Sequence, residues 1–112
     1  MIMEVNMGIF DFIGKKYNDM KKEMMDAEKK AEEWDERRIC DEMDRCSNMT
    51  RCMGYANVLK KKCREMNDER LIDIFEEVIY RRNAKAYNIL VQVMINRGLG
   101  HKDEDGRFQK DY

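Results

Sequence analysis

Apolar side chains are spread unevenly along these 112 residues, and their spacing predicts three helices. The strongest pattern runs from Asn67 to Gly98. At about 100° per residue, Leu71, Phe75, Val78, Ile79, Ala86, Ile89, Leu90 and Val93 share one broad face. Tyr80, Ala84, Tyr87, Val91 and Ile95 fall roughly opposite, which leaves a narrow polar stripe of Arg81, Lys85, Asn88, Gln92 and Asn96. A helix apolar on most sides belongs inside a packed protein, so 68–97 is expected to be a buried central helix. Asn67 and Asp68 supply its N-terminal cap and Gly98 its stop. Arg82 sits in the middle of the apolar face and marks Tyr80 to Asn83 as the place where this helix would break.

Upstream, the apolar seam is thin. Tyr17, Met20, Met24, Ala27, Ala31 and Trp34 recur at spacings of three and four, and Ile39, Met43 and Cys46 continue after a shift of five. This is a heptad-like seam with one interruption, and it predicts a helix over 17–46. Between Asn18 and Arg51, Ile39 is the only Leu, Ile, Val or Phe. Such a helix must lie against a partner, either in this chain or in a second copy, so a homodimer through 17–46 is one expectation. Ser47, Asn48 and Thr50 offer caps, and Cys52, Ala56, Leu59, Cys63 and Met66 form the core stripe of a helix over 49–66. Gly54 within it would permit a neighbouring helix to come close.

The two ends are less regular. In the short apolar segment 1–14, Ile9, Phe10, Phe12 and Ile13 lie between Gly8 and Gly14, followed by Lys15 and Lys16. Two readings compete: a small amphipathic membrane foot with a basic edge, or a turn folding back on the core. The second is preferred, because the segment is short and carries Asp11 between two phenylalanines. In 99–112, Asp105-Gly106 signals a turn, giving a hairpin or an extended tail anchored by Phe108. The expected fold is therefore all-α and a single domain, 1–112: a small three-helix bundle of 17–46, 49–66 and 68–97 with a short C-terminal hairpin or tail.

Composition sharpens this picture. The 22 basic and 23 acidic residues are interleaved, net charge is −1 and there is no proline, which favours helix over disorder. No apolar run is long enough to cross a bilayer and Met1 to Phe10 lacks the features of a secretory signal, so the expected compartment is cytoplasmic. One asymmetry stands out. Residues 47–67 hold five basic side chains, including Lys60, Lys61 and Lys62, against the single Glu65.

Catalysis finds little to work with. Ser47, Thr50 and His101 are the only residues of their types, and the chain has neither a Glu-x-x-His pair nor a glycine-rich phosphate loop. Cys40, Cys46, Cys52 and Cys63 lack the paired spacing of zinc ligands; Cys46 and Cys52 could face one another across the turn, but core packing is the preferred role. No catalytic residue, cofactor or metal is expected, and the chain is read as not an enzyme.

Two functions remain. The first is protein binding, by a small adaptor or an inhibitor that occludes a partner surface in the manner of phage and mobile-element antagonists. Its candidate partner-binding residues are Trp34, Arg37, Arg38, Lys60, Lys61, Lys62, Arg81, Lys85, Asn88 and Gln92. The second rests on a resemblance. The run from Arg81 to Leu90, then Asn96-Arg97-Gly98-Leu99 and Lys102 to Arg107, resembles the recognition helix and wing of a winged-helix domain. The resemblance implies a DNA-binding regulator that reads base edges with the 81–96 stripe and holds phosphates with Lys60 to Lys62. A break near residues 80–83 would favour that reading, and a continuous helix the bundle. The acidic Asp103, Glu104 and Asp105 and a pI of about 5.9 put protein binding first.

Overall fold

A computed structural model describes residues 2–112, with side chains from Ile13 onward. The side chains of Ile9, Phe10 and Phe12 lie outside the described residues. The chain is mostly helical, in the order α1 (Ile2–Glu32), α2 (Glu36–Arg45), α3 (Met49–Glu65), α4 (Asp68–Arg81) and α5 (Ala84–Asn96). Two short strands follow, β1 (Gly100–Lys102) and β2 (Phe108–Lys110), paired antiparallel with His101 opposite Gln109.

The caps read from the sequence are in place. Asn48 accepts from the Arg51 amide at 3.0 Å to start α3, and Asn67 from the Arg70 amide at 2.8 Å to start α4. At the end of α5, the Leu99 amide reaches Met94 O and the Gly98 amide reaches Ile95 O, with Gly98 left-handed at φ 74°. This is the paired bonding that commonly closes a helix on a glycine.

Two of the three expected helices are each two helices. The 17–46 helix stops at Glu32 and restarts at Glu36, where Asp35 caps α2 by accepting from the Arg38 amide at 2.8 Å. The shift of five between Trp34 and Ile39 is this break, since a seam that slips by more than a turn cannot stay on one face of one helix. The 68–97 helix breaks at Arg82, left-handed at φ 58°, and the Asn83 and Arg82 amides return to Val78 O and Ile79 O. That closure matches the one at Gly98, with arginine where glycine is usual. Asn83 is buried and donates to the carboxylates of Asp41 and Asp44 on α2, which holds the elbow in place. The break re-aims α5, so the second apolar set does not share one buried side. Tyr80 and Ala84 are exposed, Tyr87 and Ile95 are half-buried, and Val91 is buried.

The core lies where α2, α3, α4 and α5 meet, centred on Ile39, Leu59, Leu71, Ile74, Phe75, Leu90 and Met94. Phe75 stacks on Tyr87 at 5.8 Å and receives the edge of Phe108 at 5.1 Å, so the hairpin is pinned to the core as the sequence suggested. Gly100 makes room for that ring, because a Cβ there would lie 2.1 Å from Phe108 Cζ.

The second half of α1 packs along α3. Ala27 and Ala31 are buried, and Gly54 opposite them has no room for a side chain: its Cβ would fall 2.7 Å from Met24 O and 2.8 Å from Ala27 Cβ. The first half of α1 does not fold back. Ile13 and Gly14 are helical and exposed, and nothing lies within 4 Å of a Cβ built at Gly14. Exposure continues to Lys22.

Candidate functional site

The sequence-derived residues do not converge on one surface, because most have intramolecular work. Trp34 packs on Tyr55 at 5.2 Å, with the Arg38 guanidinium 4.7 Å above its ring. Arg37 pairs with Glu77, and Arg81 with Asp41 and Glu77. The lysine cluster is divided. Lys62 donates to Glu32 O and Trp34 O, closing the end of α1; Lys61 pairs with Glu32 at 3.6 Å; and Lys60 is exposed. Lys85 donates to Cys46 O at 2.9 Å, tying the start of α5 to the α2–α3 turn.

Asn88 and Gln92 are different. Both stand exposed on α5 and face the inner side of the hairpin, and among the described residues Gln92 donates only to Asn96 Oδ1, one turn on, at 3.2 Å. Between the two elements lies an open cleft of about 620 Å³, lined by Tyr87, Asn88, Val91, Gln92, Lys102, Arg107 and Phe108. Tyr87 also borders a smaller apolar hollow of about 250 Å³ at the α4–α5 elbow, with Ile79 and Ala84. Exposed Arg82 lines that hollow. Among the described residues, Arg82, Lys102 and Arg107 have no carboxylate partner. The surface thus combines aromatic area, amides and free cations.

The hairpin tip is ordered by its own aspartate. Asp103 accepts from the Arg107 and Asp105 amides, each at 2.9 Å, and from Gln109 Nε2 at 2.8 Å. Those bonds, the one from the Arg107 amide foremost, hold its carboxyl below the ordinary carboxylate range, so the turn stays charged and preformed. Sequence reasoning missed Tyr87, Lys102, Arg107 and Phe108 as a set. The available signal was a pair of cations flanking the Asp-Gly turn.

The cysteines divide as well. Cys40 and Cys63 are buried, and burial pushes both thiols up to about 12, so they act as small apolar groups. Cys46 and Cys52 are half-buried at the α2–α3 turn, and the Cys52 thiol donates to Cys46 O at 3.2 Å. Among the described residues, no group of three or more His, Cys, Asp or Glu side chains is arranged to hold a metal. No family model matches this chain, and neither a curated protein nor a solved structure matches it at a significant level.

Proposed function

We propose that this chain is a non-enzymatic protein-binding module, a small helical adaptor or inhibitor that covers a segment of its partner with the α5–hairpin face. The observation that carries this reading is the 620 Å³ cleft meeting the apolar elbow hollow at Tyr87. Aromatic and aliphatic floor supplies the apolar contact, and Asn88 and Gln92 supply directional bonds. The unpaired Arg82, Lys102 and Arg107 favour carboxylates on the occupant where it lies over the cleft and the elbow, away from Glu104 and Asp105 at the hairpin tip, so the segment bound is an apolar peptide with acidic flanks.

The test is selection of a displayed library of random peptides on the immobilised protein. Enrichment of acidic, aromatic-containing peptides that is lost with the paired change Lys102→Glu and Arg107→Glu supports the reading. Equal enrichment on the parent and the variant removes it.

A second reading has its own observation. The helix break at Arg82–Asn83 followed by a hairpin favours the winged-helix-like alternative, a DNA-binding regulator acting through residues 81–107. With Lys61 and Lys62 engaged, its phosphate contacts would fall to Arg82, Lys102 and Arg107. Light scattering with duplex DNA at two salt concentrations separates the two. A salt-dependent complex supports the DNA reading, and its absence leaves the peptide reading alone.

A further inference from the structure

We infer that the exposed stretch of α1 from Ile13 to Lys22 is an interfacial segment that lies on an anionic lipid bilayer. The inference uses a different surface from the α5–hairpin face and stands independently of it. Ile13, Tyr17 and Met20 recur at four and three residues and are 57%, 66% and 49% exposed. The same seam continues through Met24 to Ala27 and Ala31, which are buried against α3. The cover ends because α3 begins there: Asn48 and Arg51 bond Glu23 at 3.0 and 3.1 Å, so α3 reaches no farther along α1.

The charge around the exposed half is one-sided. Residues 13–22 contain Lys15, Lys16, Lys21 and Lys22 against Asp19 alone. Lys16 and Lys21 flank the apolar stripe on opposite sides, and among the described residues none of the four lysines pairs with a carboxylate.

A second copy fits this surface poorly. Parallel pairing sets Lys16 against Lys21 of the other chain, and antiparallel pairing of Ile13 with Met24 runs into α3. Among the described side chains the open stripe from Ile13 to Met20 covers about 11 Å of helix, too little for the roughly 800 Å² per partner of a stable interface. An anionic bilayer asks only for an apolar stripe with cations beside it, which is the arrangement present. No described helix is long and apolar enough to cross a membrane, so the helix lies in the interface and does not span.

The test is co-sedimentation of the full chain with vesicles of phosphatidylcholine alone and of phosphatidylcholine with phosphatidylglycerol at three to one. Partitioning is expected to be about tenfold stronger on the anionic vesicles and to weaken in high salt. Tyr17→Glu with Met20→Glu should reduce it by about tenfold or more. Lys16→Glu with Lys21→Glu should abolish the preference for anionic lipid, with helical circular dichroism and unfolding midpoint matching the parent. Lys102→Glu with Arg107→Glu should leave vesicle binding unchanged, and loss there would assign the binding to the α5–hairpin face and overturn the inference. So would equal partitioning of parent and arm variants, no partitioning at all, or a dimer in light scattering that depends on Tyr17 and Met20.

Discussion

The two halves of α1 carry one continuous seam and meet opposite fates. From Met24 to Ala31 the seam is closed by α3, with alanine facing glycine so that the two backbones come close. From Ile13 to Met20 it holds larger apolar side chains and is open. Small residues therefore mark the half that is packed, and large ones the half that is not. The contacts advance together along the two helices, from Glu23 with Arg51 to Glu32 with Lys61, and a parallel pair brought this close by Gly54 has no room for side chains the size of tyrosine or methionine at its centre. Such residues belong where a soft or deformable surface can receive them.

The largest expected effect comes from putting a charge on each half. Ala31 is fully buried, so Ala31→Glu should destabilise the fold by about 3 kcal/mol or more in urea unfolding, because it strands a charge between α1 and α3. Tyr17→Glu should change stability by no more than about 0.5 kcal/mol. A comparable loss at both positions would mean that the first half of α1 is packed after all, and the contrast would collapse.

Next is Gly54→Ala. Alanine is the better helix former by about 1 kcal/mol, but its Cβ would meet the Met24 carbonyl and Ala27 at distances no real contact shows. Overpacking costs about 1–3 kcal/mol, so a net loss of roughly 1–2 kcal/mol is expected. A stabilised Gly54→Ala would show that the helices can separate without cost. Lys62→Met should follow, at about 1–2 kcal/mol, since it frees the two carbonyls, Glu32 O and Trp34 O, that the lysine closes at the end of α1.

How much of this could be read from the sequence depends on what each position says about itself. The caps at Asn48 and Asn67, the stop at Gly98 and the Asp-Gly hairpin were all legible, because each uses a residue whose chemistry announces its role. The break at Arg82 uses the same closure as Gly98 but with an arginine, and only its place on an apolar face hinted at it. The gap at 33–35 was visible as a shift of five, yet a stutter inside a helix and a break between two helices produce the same spacing. The candidate site was read least well. Of the ten residues singled out, Asn88 and Gln92 line the cleft, while Lys62, Arg81 and Lys85 turned out to tie elements together. Long cations look alike in a sequence whether they bind a partner or a carbonyl in their own chain. The exposure of Tyr17 and Met20 was hidden for a related reason, since the seam carries no mark of where α3 starts.

The smallest effect concerns how a peripheral element is held when it does have partners. The hairpin is tied to α4 through Glu76, which accepts from Lys110 Nζ and from the Tyr112 hydroxyl, each at 2.6 Å. The Lys110 bond first, and then the Tyr112 bond, hold the Glu76 carboxyl below its usual range. A carboxyl depressed in the folded state stabilises that state above its ordinary value of about 4.3, and the contribution is lost as pH falls through the depressed value. Amide exchange and the Tyr112 ring resonances should therefore report loosening of 108–112 in acid while signals from Phe75 and Leu90 remain native. Glu76→Gln should give the loosened signals already at neutral pH. The effect is small because Glu76 and Lys110 are each more than a third exposed and water screens the pair, whereas Phe108 continues to hold the hairpin through its contact with Phe75. If the hairpin and the core lost their signals together, the tie would belong to the same cooperative unit as the core, and of the elements at the periphery only the first half of α1 would be energetically separate.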